Sequence, residues 1–109
     1  MRRISTHVLD VVMGKPAAGI AVRLEKDENS AWTVVGNAAT DMDGRFLALA
    51  SNAGDGLYRL TFATGDYFGQ LSRKTIYPEI SITFRCAGEE HYHLPLLLSD
   101  NSYTTYRGS

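Results

Sequence analysis

Three histidines lie in two short stretches of this chain, His7 near its start and His91 and His93 near its end. An unperturbed imidazole titrates near pH 6.5, so each of these side chains can accept or donate a proton close to neutrality. Histidine is the residue that most often transfers protons in enzymes. The three residues therefore suggest acid–base chemistry, although a single histidine on a strand is more often a packed or surface residue.

His91 and His93 also have a spacing that suits a metal ion, because alternate residues of a strand share one face. With His7 as a third ligand, they could hold zinc or copper. No cysteine or carboxylate cluster with ligand spacing accompanies them in the sequence, so we expect neither a metal nor a cofactor. The segment at residues 41–44 starts like a calcium loop but lacks the further acidic ligands, and we interpret it as a turn.

Arg45 and the last residues of the chain offer groups that could bind a ligand. Arg45 follows the turn glycine directly and opens a predicted strand. Its guanidinium could hold an anionic or carbonyl-rich ligand by paired hydrogen bonds, although a lone arginine is more often a surface residue. Tyr106 and Arg107 add recognition groups, and Ser109 adds a hydroxyl beside a terminal carboxylate. Composition alone would favour a frayed end for this segment.

Short runs rich in β-branched, aromatic and aliphatic residues predict the elements that carry these groups. We predict eight strands, at residues 6–12, 20–26, 32–38, 45–50, 57–64, 81–86, 91–98 and 102–106. Turn residues separate them at 14–16, 27–30 and 41–44. Tyr67, Phe68 and Leu71 share a helical face, which predicts a short helix within residues 65–74. Eight closely spaced strands are typical of an antiparallel β-sandwich.

The two strands that carry the histidines have apolar residues on both faces. Beside His91 and His93, the second face of strand 91–98 carries Leu97, and His7 shares its face with Leu9. A solvated face would be more polar than this. We therefore expect another subunit to cover this side and to form a groove that contains the histidines.

Length and composition exclude several classes of protein. The 109 residues suit one domain, residues 1–109, and a hydrophobic fraction of 44% is enough for a compact core. A net charge of -1 argues against a nucleic-acid partner, and the longest apolar run, residues 94–98, is too short to span a membrane. Without a signal-peptide pattern, and with Cys86 as the one cysteine, we expect a cytoplasmic protein with a buried, inert thiol.

Several motifs together resemble those of the 5-hydroxyisourate hydrolases, a family similar to transthyretin. They span nearly the whole chain and are THVLD at 6–10, GKPA at 14–17, TDMDGR at 40–45, YRLTF at 58–62, TGDYF at 64–68, YPEI at 77–80, HYHLPLLLS at 91–99 and YRGS at 106–109. The final tetrapeptide is the most specific of them, since transthyretin lacks it and lacks the catalytic histidines. Asp100 and Asn101 depart from the family, which usually continues Pro-Tyr there, and we expect this loop to shape the groove rim.

The resemblance implies a fold, an assembly and a reaction. The fold is all-β, a transthyretin-like antiparallel β-sandwich of two four-stranded sheets with one short helix. The assembly is a homotetramer, a dimer of dimers, with active sites in the clefts where dimers meet. The reaction is hydrolysis of 5-hydroxyisourate, which urate oxidase makes from urate, to 2-oxo-4-hydroxy-4-carboxy-5-ureidoimidazoline, without metal or organic cofactor.

The family's catalytic residues correspond to His7, Arg45, His93 and Ser109, and its substrate-binding residues to His7, Arg45, Tyr106, Arg107 and Gly108. We expect His7 and His93 to share the proton transfers, in roles that the sequence leaves open, while Arg45 stabilises the developing negative charge. His91 shares a face with His93 and either supports it or is merely structural. Two alternatives remain: a transthyretin-like carrier of a small ligand without catalysis, and a structural or accessory β-sandwich domain.

Overall fold

The computed structural model describes residues 2–50 and 54–109, so the predicted domain is traced except at residues 1 and 51–53. Ten strands and one helix follow in the order β1 (Arg2–Asp10), β2 (Lys15–Pro16), β3 (Ala21–Glu28), β4 (Ala31–Ala39), β5 (Arg45–Ala50), β6 (Gly56–Phe62), α1 (Thr64–Gln70), β7 (Ile80–Cys86), β8 (His91–His93), β9 (Leu96–Ser99) and β10 (Ser102–Thr105). Each of the eight predicted strand regions contains a strand. Residues 15–16, which were predicted as part of a turn, form the short strand β2.

Two sheets form the sandwich, and each is four strand positions wide. One sheet has the order β4-β3-β6-β7 with antiparallel neighbours throughout. In the other, β1 is flanked on one side by β5 and β2 and on the other side by β8 and β9, and β10 lies beyond β9. The six strands of this sheet therefore occupy the four positions that the resemblance implies.

The strand predicted at 91–98 differs from expectation in two ways. It is divided into β8 and β9, and both pair with β1 in parallel, whereas the prediction was a continuous, antiparallel strand. Pro95 explains the interruption, because proline has no N–H to donate to a sheet. The N–H of Leu94 still donates to the Ser5 carbonyl at 2.9 Å, and the Thr6 hydroxyl donates to the Leu94 carbonyl at 2.6 Å. The residues between β8 and β9 therefore stay hydrogen-bonded to β1.

Alternation along the strands builds the core between the sheets. In β1 and β5 every second side chain is buried, as period-two patterning requires. The core also includes Phe68 of α1 and the aliphatic and aromatic residues Ile4, Val8, Leu24, Tyr58, Leu60, Phe62, Tyr92, Leu96 and Leu98. Cys86 is fully buried, and burial raises the pKa of its thiol to about 11, which confirms the expected inert thiol.

The predicted short helix is present. It spans Thr64–Gln70, and Ser72, with a positive φ of 56°, follows its end. Phe68 is buried as expected, but Leu71 is 41% exposed because it lies past the last turn. Within the described residues, no helix is long and apolar enough to cross a membrane.

Candidate active site

The turn at residues 41–44, which connects β4 in one sheet to β5 in the other, places Arg45 directly opposite His7. One carboxylate oxygen of Asp41 accepts the N–H groups of Asp43 and Arg45, each at 2.9 Å, and so closes the turn. Gly44 has a φ of 77°, and a Cβ there would lie 2.4 Å from the Val8 carbonyl oxygen, so only glycine fits. The Gly44 carbonyl accepts the Val8 N–H at 2.8 Å, which fixes the register in which His7 pairs with Arg45. This confirms the predicted turn.

The parallel pairing of β1 with β8 brings the other two histidines to the same outer face. In this register Arg3 is opposite His91, and Ser5 is opposite His93. The Ser5 hydroxyl oxygen lies 3.0 Å from His91 Nε2 and 2.8 Å from His93 Nδ1, so it bridges the two rings. Arg3, Ser5 and His7 alternate with buried residues along β1 and therefore share this face.

The last residues of the chain return to this face and pack on His93. The Gly108 N–H donates to the His93 carbonyl at 2.7 Å. The guanidinium of Arg107 donates to the His91 carbonyl at 3.3 Å, and its central carbon lies 4.4 Å from the centre of the Tyr92 ring. A Cβ on Gly108 would lie 2.9 Å from His93 Cδ2, so glycine permits this close approach. The tail is therefore anchored, although composition alone favoured a frayed end.

These residues surround a groove of about 460 Å³, a volume within the range of small-molecule sites. Its wall is formed by residues of β1, β5, β8, the 41–44 turn and the tail, namely Arg3, Ser5, Thr6, Asp41, Arg45, Phe46, Leu47, His91, His93 and Ser109. The wall combines cationic and proton-transferring side chains with apolar ones. It could therefore hold a small, planar, polar molecule and exchange protons with it.

The predicted site residues are brought together to different degrees. Arg45, His93, Ser109 and His91 line the groove. His7 is not part of the wall, but it is paired with Arg45 and its charge acts on His93. Gly108 acts through its backbone.

Two of the residues expected to bind substrate lie elsewhere. Arg107 stacks on the Tyr92 ring and does not line the groove. Tyr106 is 53% exposed and is likewise absent from the groove wall.

The electrostatics of the site favour a neutral His93. Burial lowers the pKa of His93 below its usual 6.5, and the positive charges of His91, His7 and Arg45 lower it further. This lowered pKa favours the neutral imidazole, which is the form that can accept a proton. Across the described ranges, no group of three or more histidine, cysteine or acidic side chains is arranged to hold a metal ion.

Ser5 was missed by the sequence analysis, and the 100–101 loop has a different position from the one expected. Ser5 is two residues before His7 on the same face, which was the available signal. Asp100 accepts two hydrogen bonds from Arg73, at 2.5 and 3.2 Å, and Asn101 accepts the Ile76 N–H at 3.1 Å. This loop does not line the groove and instead holds the segment that follows α1.

Arg73 also binds a buried carboxylate. It donates to Asp10 at 2.6 Å, and the Tyr67 hydroxyl donates to the same oxygen at 2.8 Å. Burial of Asp10 by itself would raise the pKa of its carboxyl. The hydrogen bonds from Arg73, the Met13 N–H and Tyr67 outweigh burial and lower that pKa below 3.8.

Comparison with known proteins points to one family. A family model described as the HIUase/Transthyretin family matches residues 4–108. The chain is 46% identical to the 5-hydroxyisourate hydrolase of Salmonella dublin over 109 residues, covering 97% of this chain and 80% of that protein. The solved Klebsiella pneumoniae 5-hydroxyisourate hydrolase is similar in fold, with a TM-score of 0.87 and 34% identity over 100% of this chain and 94% of that one. Sparus aurata transthyretin has a TM-score of 0.90 and 29% identity, with coverage of 96% and 95%.

Proposed function

Because the chain belongs to the HIUase/transthyretin family, we propose that it is a 5-hydroxyisourate hydrolase, an enzyme of urate degradation. One observation carries the proposal: Arg45, His93 and Ser109 line one groove, and His7 is paired with Arg45 at its side. The proposal agrees with the names of the hydrolases that are similar over nearly the whole chain.

The reaction adds water to a cyclic amide carbonyl and opens the ring, giving 2-oxo-4-hydroxy-4-carboxy-5-ureidoimidazoline. Water is a weak nucleophile, so a base must remove its proton as it attacks. We assign this role to His93, since its lowered pKa favours the neutral ring. His7 then serves as the acid that protonates the leaving ring nitrogen. A positioned base or acid contributes a rate factor of about 10²–10⁴.

Negative charge develops on the carbonyl oxygen as water attacks, and Arg45 is the fixed cation beside it. Its guanidinium cannot lose its proton in a protein, so it stabilises charge without entering the proton transfers. The hydrogen bond that the Arg45 backbone N–H donates to the Asp41 carboxylate holds the strand end in place before substrate binds. The Ser109 hydroxyl, on the groove wall, orients the substrate ring.

The outer face around the groove supports the tetrameric part of the proposal. Leu47 and Leu49 alternate with buried residues along β5 and are 58% and 54% exposed, on the same face as Arg45. A second protomer covering these leucines would exclude water from the groove and would strengthen its electrostatics. We propose a dimer of dimers with this face at the contact, acting in the cytoplasm. Native mass spectrometry checks the stoichiometry, and a monomer at working concentration would contradict this part.

The alternative is a carrier, which the similarity to transthyretin favours on fold alone. A carrier needs a channel but no acid–base residues, and the groove of this chain contains two histidines and two arginines. The discriminating experiment follows the ultraviolet absorbance of freshly generated 5-hydroxyisourate with and without the protein. The hydrolase proposal predicts loss of the substrate signal much faster than its spontaneous decay. Decay at the spontaneous rate would favour the carrier or a structural role.

A further inference from the structure

The Ser5 hydroxyl is the only group that hydrogen-bonds either histidine ring of β8 within the described residues. It lies 2.8 Å from His93 Nδ1 and 3.0 Å from His91 Nε2, and both distances are ordinary hydrogen bonds. His93 is partly buried, whereas His91 is exposed. A single oxygen thus connects the proposed base with a ring that solvent reaches.

The Ser5 hydroxyl has one proton, and its hydrogen-bond partners among the described residues are the rings of His91 and His93, so the proton goes to one ring or the other. If Ser5 donates to His91 Nε2, then His93 must donate its own Nδ1 proton to Ser5. Nε2 of His93 is then a bare lone pair. If Ser5 donates to His93 Nδ1 instead, the proton of His93 lies on Nε2, and this nitrogen cannot act as a base. The tautomer of His93 therefore depends on whether His91 Nε2 can accept a hydrogen bond.

We propose that Ser5 and His91 are positioning residues that hold His93 with its proton on Nδ1 and leave Nε2 free to take a proton from water. The inference rests on the proposed function, because only a base needs that tautomer. It also explains how the imidazolium is accommodated. When His93 gains a proton at Nε2, its Nδ1–H already donates to Ser5, so the hydroxyl does not rotate and the hydrogen bond becomes charge-assisted.

Through the same hydrogen bonds, the protonation state of His91 determines whether His93 can act as the base. A proton on His91 Nε2 turns that nitrogen into a donor. Among the described residues, His93 Nδ1 is then the one acceptor left for the Ser5 hydroxyl, and donation to it places the His93 proton on Nε2. Protonated His91 therefore holds His93 out of the base form. The charged and titratable groups that face these two rings are Arg3 and His7 on β1, Asp41 before β5, Arg45 on β5 and Arg107 in the tail.

Four variants separate this role from simple packing. In Ser5→Ala the hydroxyl is absent, and in Ser5→Thr it is kept on a residue that suits a strand. In His91→Leu the acceptor is absent, and in His91→Gln the amide oxygen can still accept from Ser5. We expect Ser5→Ala and His91→Leu to lower kcat about 10-fold to 100-fold, the range for loss of a hydrogen bond to a charged group, with KM little changed. Ser5→Thr and His91→Gln should stay within about threefold of the wild type.

Nuclear magnetic resonance of protein with ¹⁵N-labelled histidine reads the tautomer without substrate. We expect His93 to be protonated at Nδ1 in the wild type and in His91→Gln, and at Nε2 in His91→Leu. A wild-type His93 protonated at Nε2, or equal kcat values in His91→Leu and His91→Gln, would overturn the proposal. These outcomes are distinct from failure of the proposed function, in which the wild-type protein itself would not accelerate the loss of 5-hydroxyisourate.

Discussion

Gly108 is the position where one added methyl group tests the contact between the tail and His93. A Cβ there would lie 2.9 Å from His93 Cδ2 and 3.2 Å from Pro95 Cγ. Ordinary carbon–carbon contacts are about 3.5–4.0 Å, so the methyl group of Gly108→Ala must displace something by roughly 0.6 Å or more. The φ of Gly108 is not positive, so the backbone conformation itself allows alanine.

The tail moves in this variant, and the core does not. Overpacking costs about 1–3 kcal/mol, whereas one backbone hydrogen bond, the one from Gly108 to His93, contributes about 1 kcal/mol. Because this is the one backbone hydrogen bond beyond Arg107 within the described residues, the clash is relieved by detaching Gly108 and Ser109. Misplacement of a catalytic constellation by about 1 Å costs roughly 100-fold in rate. We therefore expect a kcat about 100-fold lower at an almost unchanged melting temperature.

Gly69→Ala is the matched control. Gly69 lies exposed in α1, its φ is not positive, and a Cβ there meets nothing within 4 Å. Its kcat should equal that of the wild type, and its stability should be equal or higher, because alanine favours helix. Both variants are compared by the initial rate of 5-hydroxyisourate loss and by calorimetry. Full activity in Gly108→Ala would refute the argument that packing of the tail on His93 positions the site.

Three further predictions concern the pH profile, the tail and the buried carboxylate. A base works only when unprotonated, so on the acid side of the profile kcat/KM should fall as pH drops through the His93 pKa, which lies below 6.5; an acid limb centred above 6.5 would contradict this. Residues appended after Ser109 should obstruct the groove that it lines and lower kcat/KM, and an equal rate before and after proteolytic removal of the extension would speak against it. Arg73→Met leaves Asp10 buried without its cation and should cost about 3 kcal/mol of unfolding free energy in urea, with kcat nearly unchanged. The contribution of Asp10 to stability is present above pH 3.8 and is lost as pH falls through its lowered pKa, so a loss in Arg73→Met as large at pH 2 as at pH 7 would be inconsistent.

Local patterns were enough to predict the strands and the faces of most residues. Alternation along β1 placed His7 and Leu9 together on one face, opposite the face that is buried, since period-two patterning reflects burial directly. The turn at 41–44 was likewise predictable from its aspartates and Gly44, because turn chemistry is local. The motifs then indicated which outward residues share a site.

Contacts between distant segments were not predictable in the same way. The Ser5 bridge to His91 and His93 depends on a parallel register between strands about 86 residues apart, and no local pattern encodes that register. The same holds for Arg107, whose stacking on Tyr92 requires the tail to return along β8. The sequence predicted a position at the groove rim for Asp100, because its hydrogen bond to Arg73, which follows α1, joins segments far apart in the chain.

The most direct test of the central claim is kcat/KM for 5-hydroxyisourate in three single variants, His7→Ala, Arg45→Ala and His93→Ala, with circular dichroism to confirm that each is folded. We predict that each variant loses a factor of about 100 or more, because each removes a proton transfer or the cation that stabilises the developing charge. A folded variant with a value near that of the wild type would contradict the claim that these three side chains open the substrate ring together.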